Sequence, residues 1–291
     1  MVAVRRIQIL GAAIVALAAL IWFCWPSQKA VQVFAINFDE GHGALVNESV
    51  SGQELAIAHY LLNSRYKPST DPYWRSNCIL KKCLKFDGHY TAIETAPLTT
   101  PESGVLTISL WVAPQAYEWG DAGLPSGLIG QFQASQHQGF ALGIGRHGEW
   151  RLQLGDGSAT HNLSAGPSLL PVNVWSHLAV EINKPAQRVL FYLNGQEVAK
   201  HYVPELASWQ LPHSPLLIGR HPAATLHLGH FYLHSFNGLM DELSVIPAAL
   251  SKSQHQSLFE SPLDKGQLPQ LSMADTNIPR STFDGDKHRP Q

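Results

Sequence analysis

Charged residues are scarce in this sequence and make up 14% of its 291 residues. The 20 Lys and Arg residues nearly balance the 22 Asp and Glu residues, which leaves a formal net charge of -2. A chain without a basic field has little to attract a polyanion, so nucleic acid is excluded as an expected partner. Catalytic contexts are missing as well, because no nucleophile elbow accompanies the 15 His residues. The sequence therefore names no catalytic residue.

Cysteine is also rare, with three residues in the chain. Cys24 lies inside an apolar run, where it is expected to be an inert hydrophobic residue. Cys78 and Cys83, in CILKKC, are a candidate disulfide that would close a short loop in an oxidising compartment. Because no further ligand lies near them, a metal site at this pair is not expected.

One long apolar run stands at the start of the chain. Arg5 and Arg6 precede IQILGAAIVALAALIWFCW, and roughly 20 apolar residues are enough to cross a bilayer core. Large residues at the minus-three positions of the candidate cleavage sites favour an uncleaved anchor over a cleaved signal peptide. The Arg pair would hold the N-terminus in the cytoplasm. We therefore expect residues 1–29 to form a cytoplasmic stub and membrane anchor, with the following domain in the periplasm or outside the cell.

The middle of the chain alternates with a period of two, which is typical of strands. In VLTISLWV one face is predicted to carry Leu106, Ile108, Leu110 and Val112, and WSHLAVEI repeats the pattern. The segment RVLFYLNGQEV predicts a hairpin that turns at Asn194-Gly195. Helix is expected only in LSKSQHQSLFE, with Ser251 as the N-cap. Many short strands without intervening helices predict an antiparallel sandwich or barrel.

Six segments, taken in order, resemble the laminin G-like group of the concanavalin A-like lectin and glucanase superfamily. They are INFDEGHG, CLKFDGHYTAI, LTISLWVAP, WSHLAVEINKPAQRVLFYLNG, LLIGR and FNGLMDELSVIPAALS, and they span residues 36–251. The resemblance implies an all-β fold, an antiparallel two-sheet jelly-roll sandwich. We expect this domain at 30–261, after one transmembrane helix, and a Pro-rich linker or tail at 262–291.

The resemblance also implies a binding module, and carbohydrate is the commonest ligand class of the family. Glucanases on this fold use carboxylates at alternating positions of one strand, and no such E-x-D-x-x-E arrangement occurs here. An alternative is an accessory domain of a glycoside hydrolase, because the tail STFDGDKHRPQ is similar to the lead-in of glycoside hydrolase family 32-like enzymes; a catalytic domain would then lie beyond residue 291. A structural adhesion domain is the third possibility.

Aromatic residues in predicted loops are the candidates for ligand contact. They are Tyr73, Trp74, Tyr117, Trp119 and Trp209. Loop aromatics on a sandwich can form a flat platform for a sugar ring, but they can equally cover the edges of the core. The sequence leaves both roles open.

The acids of FNGLMDELSV raise a separate question. On a regular strand Asp241 would share a face with Leu239, Leu243 and Val245, and a buried carboxylate needs a partner. It could accept hydrogen bonds from a neighbouring loop, or it could bind calcium. The resemblance places the first and last strands side by side, so the candidate calcium ligands are Asp39, Glu40, Gly41 and Asp241. Both possibilities remain open at this point.

Overall fold

Eighteen β-strands, one α-helix and two short 3-10 helices form the regular structure of the residues that this computed structural model describes, 31–58, 73–117, 123–224, 227–228, 231–263 and 266–271. These residues belong to one of the two units into which the chain divides, Val31–Gln291. Within them, no helix has the length and apolar character needed to cross a bilayer. The predicted anchor and the similarity to a hydrolase lead-in lie outside the described residues.

The strands in chain order are β1 (Phe34–Ile36), β2 (Leu45–Glu48), β3 (Gln53–Ala58), β4 (Tyr73–Arg75), β5 (Cys83–Asp87), β6 (Ala92–Thr95), β7 (Val105–Pro114), β8 (Ser126–Gln133) and β9 (Gln138–Ile144). They continue with β10 (Glu149–Asp156), β11 (Thr160–Leu169), β12 (Ser176–Asn183), β13 (Arg188–Leu193), β14 (Gln196–Tyr202), β15 (Leu216–Ile218), β16 (His227–Leu228), β17 (Phe231–Tyr232) and β18 (Asn237–Ile246). The α-helix, α1, spans Lys252–Glu260, and the 3-10 helices span Ala134–Gln136 and Pro204–Ser208.

Sixteen of the strands form two layers, and β16 and β17 pair as a separate two-stranded sheet. The first sheet has the order β14-β13-β12-β7-β18-β1, with β5 beside β18 and β4 beside β5. The second sheet has the order β11-β10-β9-β8-β15-β6-β3. The β2–β3 hairpin joins them, because β2 pairs with β1 and β3 pairs with β6. These pairings are antiparallel, so the predicted two-sheet sandwich is confirmed.

The main core lies between the sheets and follows the predicted alternation. Leu106, Ile108, Leu110 and Val112 of β7 all belong to one buried cluster, together with Leu178, Val180 and Ile182 of β12. Burying each such side chain contributes roughly 1.5–3 kcal/mol. The period of two in the sequence therefore identified the inward face of both central strands.

The predicted hairpin and helix are also present. Asn194 and Gly195 connect β13 to β14 with φ of 49° and 77°, the left-handed conformation that a tight hairpin turn requires. Ser251 caps α1, since its side chain accepts a hydrogen bond from the Gln254 N–H while the Gln254 side chain bonds back to the Ser251 N–H.

The outer face of the first sheet is covered too. Trp111, Trp175 and Leu239 form a second buried cluster with the Cys78–Cys83 loop. Phe259 of α1 stacks on Trp111, with ring centroids 5.4 Å apart, and Leu263, Leu268 and Leu271 pack against the same cluster. Thus the disulfide loop, α1 and the segment after it close the side of the sheet that faces away from the main core.

Candidate functional site

The first and last strands of the sandwich, β1 and β18, lie side by side, as the resemblance implied. Along β18, a gap separates its pairing with β5 from its pairing with β1. Strand β18 pairs with β5 over Asn237 to Met240 and then with β1 from Leu243 onward. Asp241 and Glu242 lie between these two pairings. At this point the register with β7 shifts by one residue, which is a β-bulge. We call the residues Asp39, Lys81, Asp241 and Glu242 the strand junction.

The bulge corrects the predicted orientation of Asp241. Leu239 faces the outer cluster, whereas Leu243 and Val245 face the main core, so these residues do not share a face with one another. One inserted residue inverts the alternation of the rest of a strand, and the extra residue is Glu242, with φ of 48°. Asp241 pairs across from Trp111, on the outer side, where it lies beneath the disulfide loop.

Asp241 holds the disulfide loop through its carboxylate. The Oδ2 atom accepts hydrogen bonds from the N–H groups of Ile79 at 2.9 Å and Leu80 at 3.1 Å. Oδ1 accepts one from the Glu242 N–H at 3.0 Å. The residue is fully buried, and burial raises its pKa to about 9, although the N–H donors oppose that shift. These contacts match the hydrogen-bonded alternative for this acid.

Asp39 and Glu242 meet a lysine at the junction. The Lys81 Nζ lies 2.6 Å from the Asp39 Oδ2, and the two charges raise the pKa of Lys81. Burial raises the pKa of Glu242 to about 7; the Asp39 charge raises it further and the Lys81 charge lowers it. Lys81 therefore pairs with Asp39 and acts on Glu242 through its charge.

Backbone strain and unpaired oxygens are concentrated here. Phe38, Lys81 and Glu242 have φ of 57°, 40° and 48°, a conformation that costs a non-glycine residue about 1–3 kcal/mol and is often retained at functional sites. Within the described residues, one buried oxygen each of Asp39, Glu40 and Glu242 has no hydrogen-bond partner. Unsatisfied buried acceptors are uncommon in native structures, so these three oxygens mark a place where the protein itself supplies no hydrogen-bond donor.

Trp74 contacts the loop that follows Asp39. Its indole N–H donates to the Gly43 carbonyl at 3.0 Å, and its half-buried ring packs against the main core. The loop between β1 and β2 also approaches the disulfide loop, since a Cβ placed on Gly41 would lie 3.1 Å from the Lys82 side chain. Tyr73 begins the same strand, β4, but its side chain lies outside the described part.

The other predicted aromatics do not join this surface. Trp209 is fully buried, and its indole N–H donates to the Gly139 carbonyl at 3.2 Å. It cannot form part of an exposed platform, and its role in covering the core is the correct one. Tyr117 is half-buried against the core and donates its hydroxyl to the Leu170 carbonyl. Trp119 lies outside the described residues.

Several carboxylate oxygens at the junction already make contacts within the protein. Among the described residues, no group of three or more His, Cys, Asp or Glu side chains is placed to hold a metal ion. The Glu40 Oε1 accepts the Asn47 N–H at 2.7 Å, and the Asp241 oxygens accept backbone N–H groups. Calcium prefers six to eight oxygen ligands. No observation tests calcium binding directly, so it stays a prediction.

A serine–histidine pair under α1 resembles a nucleophile and its base, but it is enclosed. The Ser109 Oγ lies 2.8 Å from the His177 Nε2. Both residues are buried, and burial lowers the pKa of His177 to about 3, with the His255 charge acting in the same direction. Trp111 and Phe259 pack against the imidazole. A substrate has no route to this pair, so we assign it to packing.

Sequence reasoning missed Lys81 and Glu242 as members of the strand junction. Lys81 is 42 residues from Asp39 along the chain, and no local pattern pairs two residues at that distance. The available signal was the candidate disulfide, because a closed CILKKC loop constrains Lys81. The Cys78–Cys83 disulfide is present, with Cα atoms 5.6 Å apart.

A family profile described as Laminin_G_3, Concanavalin A-like lectin/glucanases superfamily, matches residues 87–254. Several solved structures share the fold. The binding domain of Paraclostridial Mosquitocidal Protein 1 has a TM-score of 0.59 at 15% identity. Domain 4 of AbnA has a TM-score of 0.57 at 18% identity. AbnA is a GH43 extracellular arabinanase from Geobacillus stearothermophilus, and this domain was solved in complex with arabinotriose. A structure of botulinum neurotoxin type C has a TM-score of 0.54 at 13% identity; the cell entry of that toxin depends on interaction with two ganglioside molecules.

The extent of these matches differs. The alignments cover 79%, 79% and 80% of this chain, in the order given. They span 52% of the mosquitocidal protein chain, 99% of the arabinanase domain and 52% of the neurotoxin chain. No curated protein matches the sequence. At these identities the similarity establishes the fold alone.

Proposed function

Because the chain belongs to the concanavalin A-like lectin/glucanases superfamily, we propose that it is a carbohydrate-binding module and that the ligand contacts the strand junction beside Trp74. The observation that carries this proposal is the combination of unpaired carboxylate oxygens on Asp39 and Glu242 with a half-buried tryptophan. No other surface in the described residues combines these features with left-handed backbone at three non-glycine positions.

The chemistry of the junction suits a sugar. Carboxylates are strong acceptors for hydroxyl groups, and charge-assisted hydrogen bonds are about twice as strong as neutral ones. Lys81 supplies a donor for a ring or hydroxyl oxygen, and its charge offsets part of the repulsion between the two acids. The indole ring of Trp74 offers a rigid apolar surface for the C–H face of a sugar, with the N–H bond to Gly43 fixing its orientation.

Structural neighbours support the ligand class. The arabinanase domain was solved with arabinotriose, and the neurotoxin requires gangliosides for cell entry. The arabinanase domain is covered almost completely by the alignment, and this favours the second candidate function, an accessory module of a glycoside hydrolase. Both candidates require the chain to bind a glycan, so one binding experiment addresses them together.

The proposal includes export and membrane tethering. Two observations support this part: the apolar run at residues 7–25, and the Cys78–Cys83 disulfide, since disulfides persist in oxidising compartments. The full chain is expected to remain with membranes after a high-salt wash. Recovery of the protein in the secreted soluble fraction, trimmed near Ala30, would contradict the tether but leave the binding function standing.

The direct test is a glycan array probed with the full chain in mild detergent, including arabinan oligosaccharides and ganglioside headgroups. We expect at least one glycan to bind, and Trp74→Ala to weaken binding by about 30-fold, the loss expected when an aromatic anchor is truncated. Tyr202→Ala, which removes an aromatic residue that is 70% exposed elsewhere on the sheet, is the matched control. A wild-type chain that binds no glycan would refute the proposal.

A further inference from the structure

A polar groove lies between the turn that joins β13 to β14 and the start of α1. Its volume is about 430 Å³, and the residues that line it include Tyr192, Gln196, Glu197, Lys252, Ser253 and Gln256. Ligand pockets in proteins measure roughly 300–1,000 Å³. The groove shares no residue with the strand junction, so it is a separate surface.

Contacts between the hairpin turn and the helix fix the width of the groove. Gly195 approaches α1 so closely that a Cβ would lie 3.1 Å from the Cα of Gln256. The Gln196 side chain donates to the Gln256 side chain at 2.8 Å, and the Gln256 amide donates to the Glu260 carboxylate at 2.6 Å. The walls are therefore held by hydrogen bonds before any ligand arrives, which lowers the entropy cost of binding.

Tyr192 forms the floor. Its ring stacks on His255 of α1, with centroids 3.5 Å apart and planes 14° apart. The residue is only 3% exposed, and it is one of the residues that line the groove. Burial raises the pKa of Tyr192 to about 12, and the Glu197 charge contributes, so the hydroxyl remains a donor at ordinary pH. A hydroxyl that lines a groove can donate to, and accept from, a ligand that enters it.

The lining selects the class of ligand. One acid, Glu197, and one base, Lys252, balance each other, which disfavours a strongly charged ligand. Two glutamine amides and two hydroxyl groups, each able to donate and accept, supply the remaining contacts. Densely spaced groups of both kinds match a neutral compound that carries many hydroxyl groups.

We propose that this groove is a second glycan-binding subsite, with the Tyr192 hydroxyl and the Gln256 amide hydrogen-bonding to sugar hydroxyl groups. The proposal rests on the carbohydrate-binding function, and it adds a second position at which the same chain engages a glycan. Two subsites on one module allow an extended or branched glycan to be held at two points, so that binding at one raises the effective concentration at the other.

The test uses the full chain in mild detergent and the glycan that gives the strongest array signal. Tyr192→Phe removes one hydroxyl without changing the ring stack, and Gln256→Ala removes one wall. Each is expected to weaken binding by about three- to tenfold, the loss expected for one hydrogen bond. Tyr202→Phe is the matched control, since its hydroxyl bonds to Gln187 outside the groove, and it should bind like the wild type. Thermal melting of each variant checks the fold.

The possible results separate the two proposals. Weaker binding by both groove variants, with an unchanged Tyr202→Phe, supports the subsite. Unchanged binding by Tyr192→Phe and Gln256→Ala, together with a loss caused by Trp74→Ala, overturns the groove and keeps the junction. A wild-type chain that binds no glycan overturns the carbohydrate-binding function and the subsite with it. Repeating the titration in the Trp74→Ala background shows whether the groove binds alone; saturable residual binding that Tyr192→Phe removes is expected.

Discussion

Asp241→Ala tests how the buried acid stabilises the domain. The substitution removes the acceptor of the Ile79 and Leu80 N–H groups. Ile79 is 6% exposed whereas Leu80 is 37% exposed, so water can replace the lost bond at Leu80 but not at Ile79. An unsatisfied buried N–H costs about 1–3 kcal/mol, and the small cavity adds about 1 kcal/mol. At pH 5, where Asp241 is protonated in the folded chain, we expect the free energy of unfolding to fall by about 2–4 kcal/mol.

The pH dependence of the free energy of unfolding provides a second test of the Asp241 carboxyl group. Its ordinary pKa is 3.8, and burial raises it to about 9 in the folded chain. The folded state therefore binds the extra proton between these values, and the stabilisation is complete below about pH 4 and lost as the pH rises toward 9. In Asp241→Asn this decline should be smaller, because the amide cannot titrate while its oxygen still accepts from Ile79.

The assay is urea denaturation of the full chain followed by tryptophan fluorescence at pH 5 and pH 8.5. Glu54→Ala, at an exposed position of β3, is the control and should leave the midpoint unchanged. The reasoning is wrong if Asp241→Ala is as stable as the wild type at pH 5. It is also wrong if Asp241→Asn keeps the full decline of stability between the two pH values.

Three further predictions concern stability. Replacing Cys78 and Cys83 by serine should lower the free energy of unfolding by about 2 kcal/mol, the loop-closure term for so short a ring, and thiol labelling of the wild type should require reductant. His255→Phe should make the chain more stable than the wild type at pH 5. Burial lowers the pKa of His255 to about 4, so the wild type loses stability as the pH falls below about 6.5. A variant that is less stable than the wild type at pH 5 would refute this prediction. If calcium binds at the strand junction, the melting midpoint must be higher in calcium than in chelator; an equal midpoint would refute the calcium prediction.

The fold could be predicted because its main determinant is local. Leu106, Ile108 and Leu110 alternate with polar residues in the sequence itself, so this pattern does not depend on tertiary contacts. Asn194-Gly195 adopts left-handed backbone angles with little strain. Ser251 and Gln254 are three residues apart, so their capping box is visible in the sequence. Such short-range patterns identify strands, turns and helix ends before any tertiary contact is known.

The candidate site was only partly predictable, because its geometry depends on tertiary contacts. The bulge at Glu242 inserts one residue into β18, and an alternating pattern does not reveal an insertion when both faces of the strand are apolar. Trp209 follows a 3-10 helix in a segment with loop-like composition, yet the segment folds inward and its indole reaches Gly139. Lys81 meets Asp39 only because Asp241 and the disulfide position its loop.

Fluorine NMR of the full chain labelled with 5-fluorotryptophan tests glycan binding at the strand junction most directly. The chain has 8 Trp residues, and Trp74→Phe assigns the resonance of Trp74 by its disappearance. We expect the array-positive glycan to shift this resonance in a saturable way while the buried Trp111, Trp150, Trp175 and Trp209 stay unchanged. Saturable binding that leaves the Trp74 resonance unmoved would contradict the placement of the ligand at the junction.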